Sequence, residues 1–397
     1  MKLVSTFAGL AATFALTACT SAGSAQFSPA MPSSQAVDQE VRLAMEATGA
    51  RGIALAVIDD GEVTRVVSYG ERNLAGEPLR TDTIMYGASL TKAAFAYMVM
   101  QLVDEGLVDL DRPVGEVLAR PLPDYTAPEV EDRYARWSDL AGDDRWRLLT
   151  PRILLTHSPG FANFGFIEPD GLLRFHFEPG SRYAYSGDGL ILLQFMLEEG
   201  LGLDIGQEMQ RRVFDPLGMT RTSMMWRADF AGNLADGWDL TGRPEPHDER
   251  SAPRAAGSMD TTIEDMARFA ASYVAGRGLS ESSRDALTSP HLRITTASQF
   301  PTLQAELPPA ARRGDLAAGL GVVVFQGPQG PAFMKGGHND TTGNIWVCVE
   351  ARRRCVILLS NDVRAEAAFP QLVGLMLGDT GAPWTWEYGG MAFWQKH

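Results

Sequence analysis

NIWVCVEARRRCVILLS, residues 344–360, is the stretch that decides the architecture. Two β-rich runs, 344–350 and 355–360, flank a short polar turn at 350–353, which reads as an antiparallel hairpin. Cys348 and Cys355 lie equally far from its centre and are therefore direct cross-strand neighbours. They form either a disulfide, given an oxidising compartment and suitable pairing geometry, or two reduced apolar side chains on one sheet face. The run Arg352-Arg353-Arg354 falls at the turn and reads as a solvated tip.

Working outward, 321–325 supplies another strand and the region near 364–377 a closing helix. Near the other end of the chain, 53–58 and 63–69 form a second hairpin around Asp59-Asp60-Gly61-Glu62, preceded by a helix near 37–47. Residues 89–105 turn helical, with Phe95, Met98, Val99, Leu102 and Val103 on one face and Gly106 as the stop. The region from about 107 to 316 carries mostly helical and loop signals. The expected fold class is α+β: an antiparallel sheet of about five strands drawn from both chain ends, flanked by helices, with a mostly helical lobe inserted.

The chain has 397 residues and a net charge of −14, which argues against nucleic acid because no basic stripe is present to displace counterions from phosphates. Only four of its 35 basic residues are lysines, namely Lys2, Lys92, Lys335 and Lys396. An arginine stays protonated at any biological pH, whereas a desolvated lysine can lose its proton and act as a base. Lys92 and Lys335 both sit in short motifs that use that chemistry. None of the six histidines has metal-ligand spacing and only three cysteines are present, so no metal and no organic cofactor is expected.

Residues 1–18 read as a signal peptide: Lys2, a short apolar run, then Leu16-Thr17-Ala18-Cys19. That tetrapeptide resembles a bacterial lipobox, which makes Cys19 the lipidated first residue and 19–36 a tether to a domain spanning 37–397. The alternative is an ordinary cleaved signal, for instance after Ala25. Either reading exports the protein to the cell envelope or periplasm, with the lipid as the only membrane contact.

Ser89-Leu90-Thr91-Lys92 places a hydroxyl at a helix start and an amine one turn later on the same face, close enough to take its proton. Taken alone the spacing is weak evidence. Tyr185-Ser186-Gly187 and Lys335-Gly336-Gly337 follow it in order. With these three motifs the chain resembles the serine β-lactamase and penicillin-binding-protein superfamily, in its class C β-lactamase, DD-peptidase and family VIII esterase-like branch. The likeness spans about 40–380. Leu154-Leu-Thr-His-Ser-Pro-Gly160, Asp215-Pro-Leu-Gly-Met219, and Ala255-Ala-Gly-Ser-Met259 with Thr262-Ile-Glu-Asp265 resemble further family landmarks.

The resemblance implies the superfamily's α/β sandwich and a serine hydrolase acting through an acyl-enzyme. Ser89 would be the nucleophile, Lys92 its activator, and Tyr185 a second acid/base whose phenol is lowered by Lys92 and Lys335. Backbone N–H groups of Ser89 and His338 would form the oxyanion hole, and Gly187, Gly336, Gly337 and His338 would border the substrate. His338 could instead take the place of Lys335 in a His-x-Gly alignment, but His338-Asn339-Asp340 lacks the glycine. His157 is expected to be a buried histidine bonded to loop backbone. The family's tyrosine motif usually ends in Asn where Gly187 stands, and its Lys-Thr-Gly has a hydroxyl where Gly336 stands. These departures point to a small ester or an unusual amide as substrate. The alternatives are a β-lactamase or D-amino-acid peptidase, and, in another class, a catalytically silent lipoprotein that binds ligand or peptidoglycan.

Overall fold

The computed structural model describes residues 31–395, so the leader, Cys19 and most of the tether lie outside the described residues. The first helix, α1, is Ser34–Thr48, with the Ser33 side chain accepting from Ala36 N and Gly49 closing its end in the left-handed region. It begins inside the segment expected to be tether, because Ser33 is a good N-cap. The hairpin β1 (Gly52–Asp59) and β2 (Glu62–Gly70) follows, then helix α2 (Leu90–Asp104). The lobe contributes α3 (Gly187–Phe195) and α4 (Ile263–Ala275). The last part of the chain adds strands β3 (Leu292–Arg293), β4 (Ala317–Ala318), β5 (Val323–Gly327), β6 (Gly330–His338), β7 (Gly343–Val349) and β8 (Arg354–Ser360), then helix α5 (Phe369–Leu377).

These strands form one eight-stranded sheet in the order β2-β1-β8-β7-β6-β5-β4-β3, antiparallel throughout. The two ends of the chain meet where β1 pairs with β8, Leu55 opposite Leu358. The expected sheet from both chain ends is present, with eight strands rather than about five. β3 and β4 are two residues each, too short to show a period-2 pattern. β6 was hidden by Gly330, Pro331, Gly336 and Gly337, which depress the strand signal. The Lys335 motif therefore lies within a strand, not ahead of one.

Alternation along β1 divides the core in two. Ile53, Leu55 and Val57 face α1 and α5, while Ala54, Ala56 and Ile58 face α2, α4 and the lobe. Helix α2 lies between sheet and lobe and is buried on nearly every side, so the one-sided face expected for it is not what forms. Cys348 and Cys355 pair directly across β7 and β8 and are joined by a disulfide. At the turn, Arg352 and Arg353 are exposed, but Arg354 is buried, with Nη2 donating to Met376 O and Nε facing Asp59. Only two of the three arginines therefore make a solvated tip.

Candidate active site

The chain reaches α2 through a tight backbone approach in which Gly87 N donates to Met259 O at 2.8 Å. Ala88 then takes a φ of 47°, a left-handed conformation that costs an alanine about 1 kcal/mol and persists only where the surroundings impose it. This turn delivers Ser89 to the helix start with no side-chain capping bond, so its hydroxyl is directed to other work. Lys92, one turn later and 1% exposed, has Nζ 2.9 Å from Ser89 Oγ and also contacts Ala256 O. Burial, then the neighbouring charge of Lys335, hold its amine well below the ordinary lysine range.

Strand β6 passes the start of α2 at Gly337. A Cβ there would sit about 3 Å from Gly87 O, Leu90 N and Ser89 N, so only glycine lets the strand come this close. The Ser89 N–H has no hydrogen-bond partner among the described residues, as a donor kept for a ligand requires. Two residues earlier on the strand, Lys335 puts Nζ 3.5 Å from Tyr185 OH and 3.0 Å from Gly336 O. Burial lowers its amine to about 8, with Glu387 pulling the other way. Lys335, rather than His338, reaches the tyrosine. The imidazole of His338 turns to Glu366, with Nδ1 3.1 Å from Oε1. Burial opposes the charge on His338, but the bond to Glu366 and its negative field outweigh it, so the net shift is upward.

Tyr185 OH donates to Ser89 Oγ at 2.7 Å, which places the serine oxygen between phenol and amine. Its ring stacks on His157, 4.3 Å between centroids. His157 is itself buried and accepts from Ser186 N through Nδ1 at 3.1 Å, the loop-backbone bond expected for it. The expected lowering of the phenol is corrected by its surroundings. Burial pushes Tyr185 up and outweighs the lowering by its hydrogen bond to Ser89, while Glu387 and Tyr86 add to the rise, so it stays protonated beside the serine.

Ser89, Lys92, Tyr185, Lys335, Gly336, Gly337 and His338 all line one cleft of about 270 Å³. Gly187 does not. A Cβ at 187 would run into the ring of Phe164, and the Gly187 N–H donates to Asn163 Oδ1 at 2.9 Å. It is Phe164 and Asn163 that border the cleft there. At the other departure, a Cβ on Gly336 would collide with Glu387 Oε1. Glu387 follows Trp386, whose carbonyl accepts from Gln299 N and whose indole donates to Thr296 Oγ1, and its own Oε2 accepts from Gln299 Nε2 at 3.0 Å. The aromatics of the tail, Trp386 among them, are packing, but they carry a carboxylate into the cleft. Asn163, Phe164, Gln299, Phe300 and Glu387 were not legible as site residues, since the first four arrive from loops and Glu387 from the one-turn helix Trp384–Glu387, none with a local motif. Among the described residues, no group of three or more His, Cys, Asp or Glu could hold a metal ion.

The family model described as Beta-lactamase matches residues 37–389. Lovastatin esterase of Penicillium rubens is 28% identical over 194 residues, 42% of this chain and 47% of that protein. Monacolin J acid methylbutanoyltransferase of Aspergillus terreus is 31% identical over 188 residues, 40% of this chain and 43% of that protein. The chain thus spans less than half the length of these curated relatives. Among solved structures, a penicillin-binding protein homologue from Pyrococcus abyssi superposes with a TM-score of 0.67 at 19% identity, over 87% of this chain and 78% of that one. The D-alanine carboxypeptidase AmpC from Burkholderia cenocepacia gives 0.66 at 18%, over 87% and 98%.

Proposed function

Because the chain belongs to the beta-lactamase family, we propose that it is a serine hydrolase acting through an acyl-enzyme on a small ester or amide, esters above all. One observation carries this reading: Ser89 Oγ is held between a buried, readily deprotonated lysine at 2.9 Å and a protonated tyrosine at 2.7 Å. As Oγ adds to the substrate carbonyl, the Ser89 proton passes to Lys92 Nζ. The oxyanion is met by the backbone N–H groups of Ser89 and His338, a pairing supported by the close approach of β6 to the start of α2 at Gly337. Tyr185 gives its proton to the leaving oxygen as the carbon–oxygen bond breaks, and the proton on Lys92 returns through the hydrogen-bonded set to the phenol. Water then adds to the acyl carbonyl with the proton flow reversed, releasing the acid and Ser89.

The preference for esters is supported by an esterase and an acyltransferase among the relatives, and by loss of the usual side chains at Gly187 and Gly336. The test is to incubate the protein with a fluorophosphonate and, in parallel, a fluorescent penicillin, and to locate the adduct by mass spectrometry. The fluorophosphonate should be found on Ser89 and penicillin little or not at all. A penicillin adduct on Ser89 would favour the β-lactamase or peptidase reading, and no adduct with either reagent would sink the hydrolase. Export to the cell envelope with Cys19 lipidated belongs to the same proposal. The Leu16-Thr-Ala-Cys19 sequence supports it, as does a disulfide between Cys348 and Cys355, which persists in an oxidising compartment.

Lys335 gives this reading a pH signature. Its ammonium steadies the negative charge that develops on Tyr185, so kcat/KM should fall as pH rises through about 8, where the amine loses its proton. Lys335→Arg should lower kcat/KM by about ten- to a hundredfold, because a planar guanidinium cannot sit where the amine sits. It should also erase the alkaline fall, since arginine keeps its proton. A pH–rate profile of both proteins checks this, and an unchanged alkaline limb in the variant would assign it to another group.

A further inference from the structure

Among the described residues, the basic groups that line the cleft are Lys92, Lys335 and His338, and each already faces other protein groups. Lys92 is buried, bonded to Ala256 O and Ser89 Oγ, and held well below its usual range, while His338 is paired with Glu366. Lys335 shares its surroundings with Glu387, and none of the residues lining the cleft is an arginine, although the chain is rich in them. Glu387 occupies the space that any side chain at 336 would fill, its Oε2 fixed by Gln299 and its Oε1 against the Gly336 backbone at the cleft wall. Gln299 is held in turn, with Oε1 accepting from Tyr183 OH at 2.9 Å, so the carboxylate is rigidly placed. Burial is the dominant influence and holds the Glu387 carboxyl above the ordinary carboxylate range, although Lys335 and His338 pull back towards the ionised form.

We propose that Glu387 is a specificity-determining residue, resting on the hydrolase reading above. It selects esters whose acyl chain is neutral or carries an ammonium or hydroxyl donor, and it rejects those whose acyl chain carries a carboxylate. A donor on the substrate completes the open valence of Oε1, whereas a second carboxylate brought beside it cannot stay ionised together with it in a buried corner.

The test uses three esters of matched length at neutral pH: p-nitrophenyl hexanoate, its ω-amino analogue and its ω-carboxylate analogue. The native protein should turn over the amino ester with a kcat/KM at least about tenfold above that of the carboxylate ester, the hexanoate falling between. In Glu387→Gln, which keeps an oxygen for Gln299, that ratio should collapse by about tenfold or more. A native protein that handles the charged pair equally, or a folded variant with an unchanged ratio, overturns the proposal. If the variant does not fold, the preference of the native protein decides alone. Failure of the hydrolase reading looks different: no turnover of any ester and no fluorophosphonate on Ser89, which removes the proposal with it.

Discussion

Lys92→Met is expected to cut kcat by about 10⁴-fold while leaving the protein at least as resistant to heat at neutral pH. The first half follows from geometry. In the proposed mechanism the amine, 2.9 Å away, is the base that takes the serine proton, and methionine has nearly the same length but no lone pair of useful basicity. The second half follows from linkage. The folded protein holds the Lys92 amine well below its usual value, so between that lowered value and the ordinary lysine range the unfolded chain binds a proton that the folded site sheds. That difference opposes folding, and the opposition fades only as pH rises towards the ordinary lysine range. Methionine removes it, at the loss of hydrogen bonds to Ser89 and Ala256 worth about 1 kcal/mol each. Thermal melts across pH, read beside single-turnover kinetics, check both halves. A variant melting well below the native protein would show that the amine is held as a paired cation and is not the base.

Tyr185→Phe is expected to lower kcat by about 10³-fold with a smaller change in KM. The phenol stays protonated, so in the proposed mechanism its contribution is a proton for the leaving oxygen, a step made only in the transition state. The loss should therefore depend on the leaving group. Esters of poorly acidic alcohols, which cannot depart as anions, should suffer most, and activated aryl esters least. The ring itself is held by His157 and needs no hydroxyl to stay in place. A loss of the same size for aryl and alkyl esters would show that Tyr185 acts on Ser89 rather than on the departing alcohol.

The fold was readable where apolar residues run unbroken over five or more positions, as in β1, β7 and β8, and where a cap marks a boundary. It was unreadable where glycine and proline replace that pattern for a local reason. Gly337 is needed for contact with α2 and Gly336 for contact with Glu387, and these two residues helped to disguise the strand that carries Lys335. The candidate catalytic groups stood out because proton transfer fixes the spacing of Ser89 and Lys92 within one helical turn. The wall of the cleft did not, because Phe164, Gln299 and Glu387 converge from loops more than a hundred residues apart or from the tail. The state of Tyr185 was misjudged for a related reason: nearby cations are visible in the motifs, but the burial that outweighs them depends on the whole lobe.

The intrusion of Glu387 at Gly336 separates two inheritances within one cleft. Ser89, Lys92 and Lys335 are tied to each other through α2 and β6, so a shift in any of them disturbs the reaction. The carboxylate arrives on a separate tail, anchored through Trp386 and Gln299. That segment can be lengthened, re-anchored or exchanged while helix and strand stay as they are, so what the protein accepts can drift between lineages faster than how it reacts, and a library confined to the last dozen described residues would sample new selectivities on an unaltered catalyst.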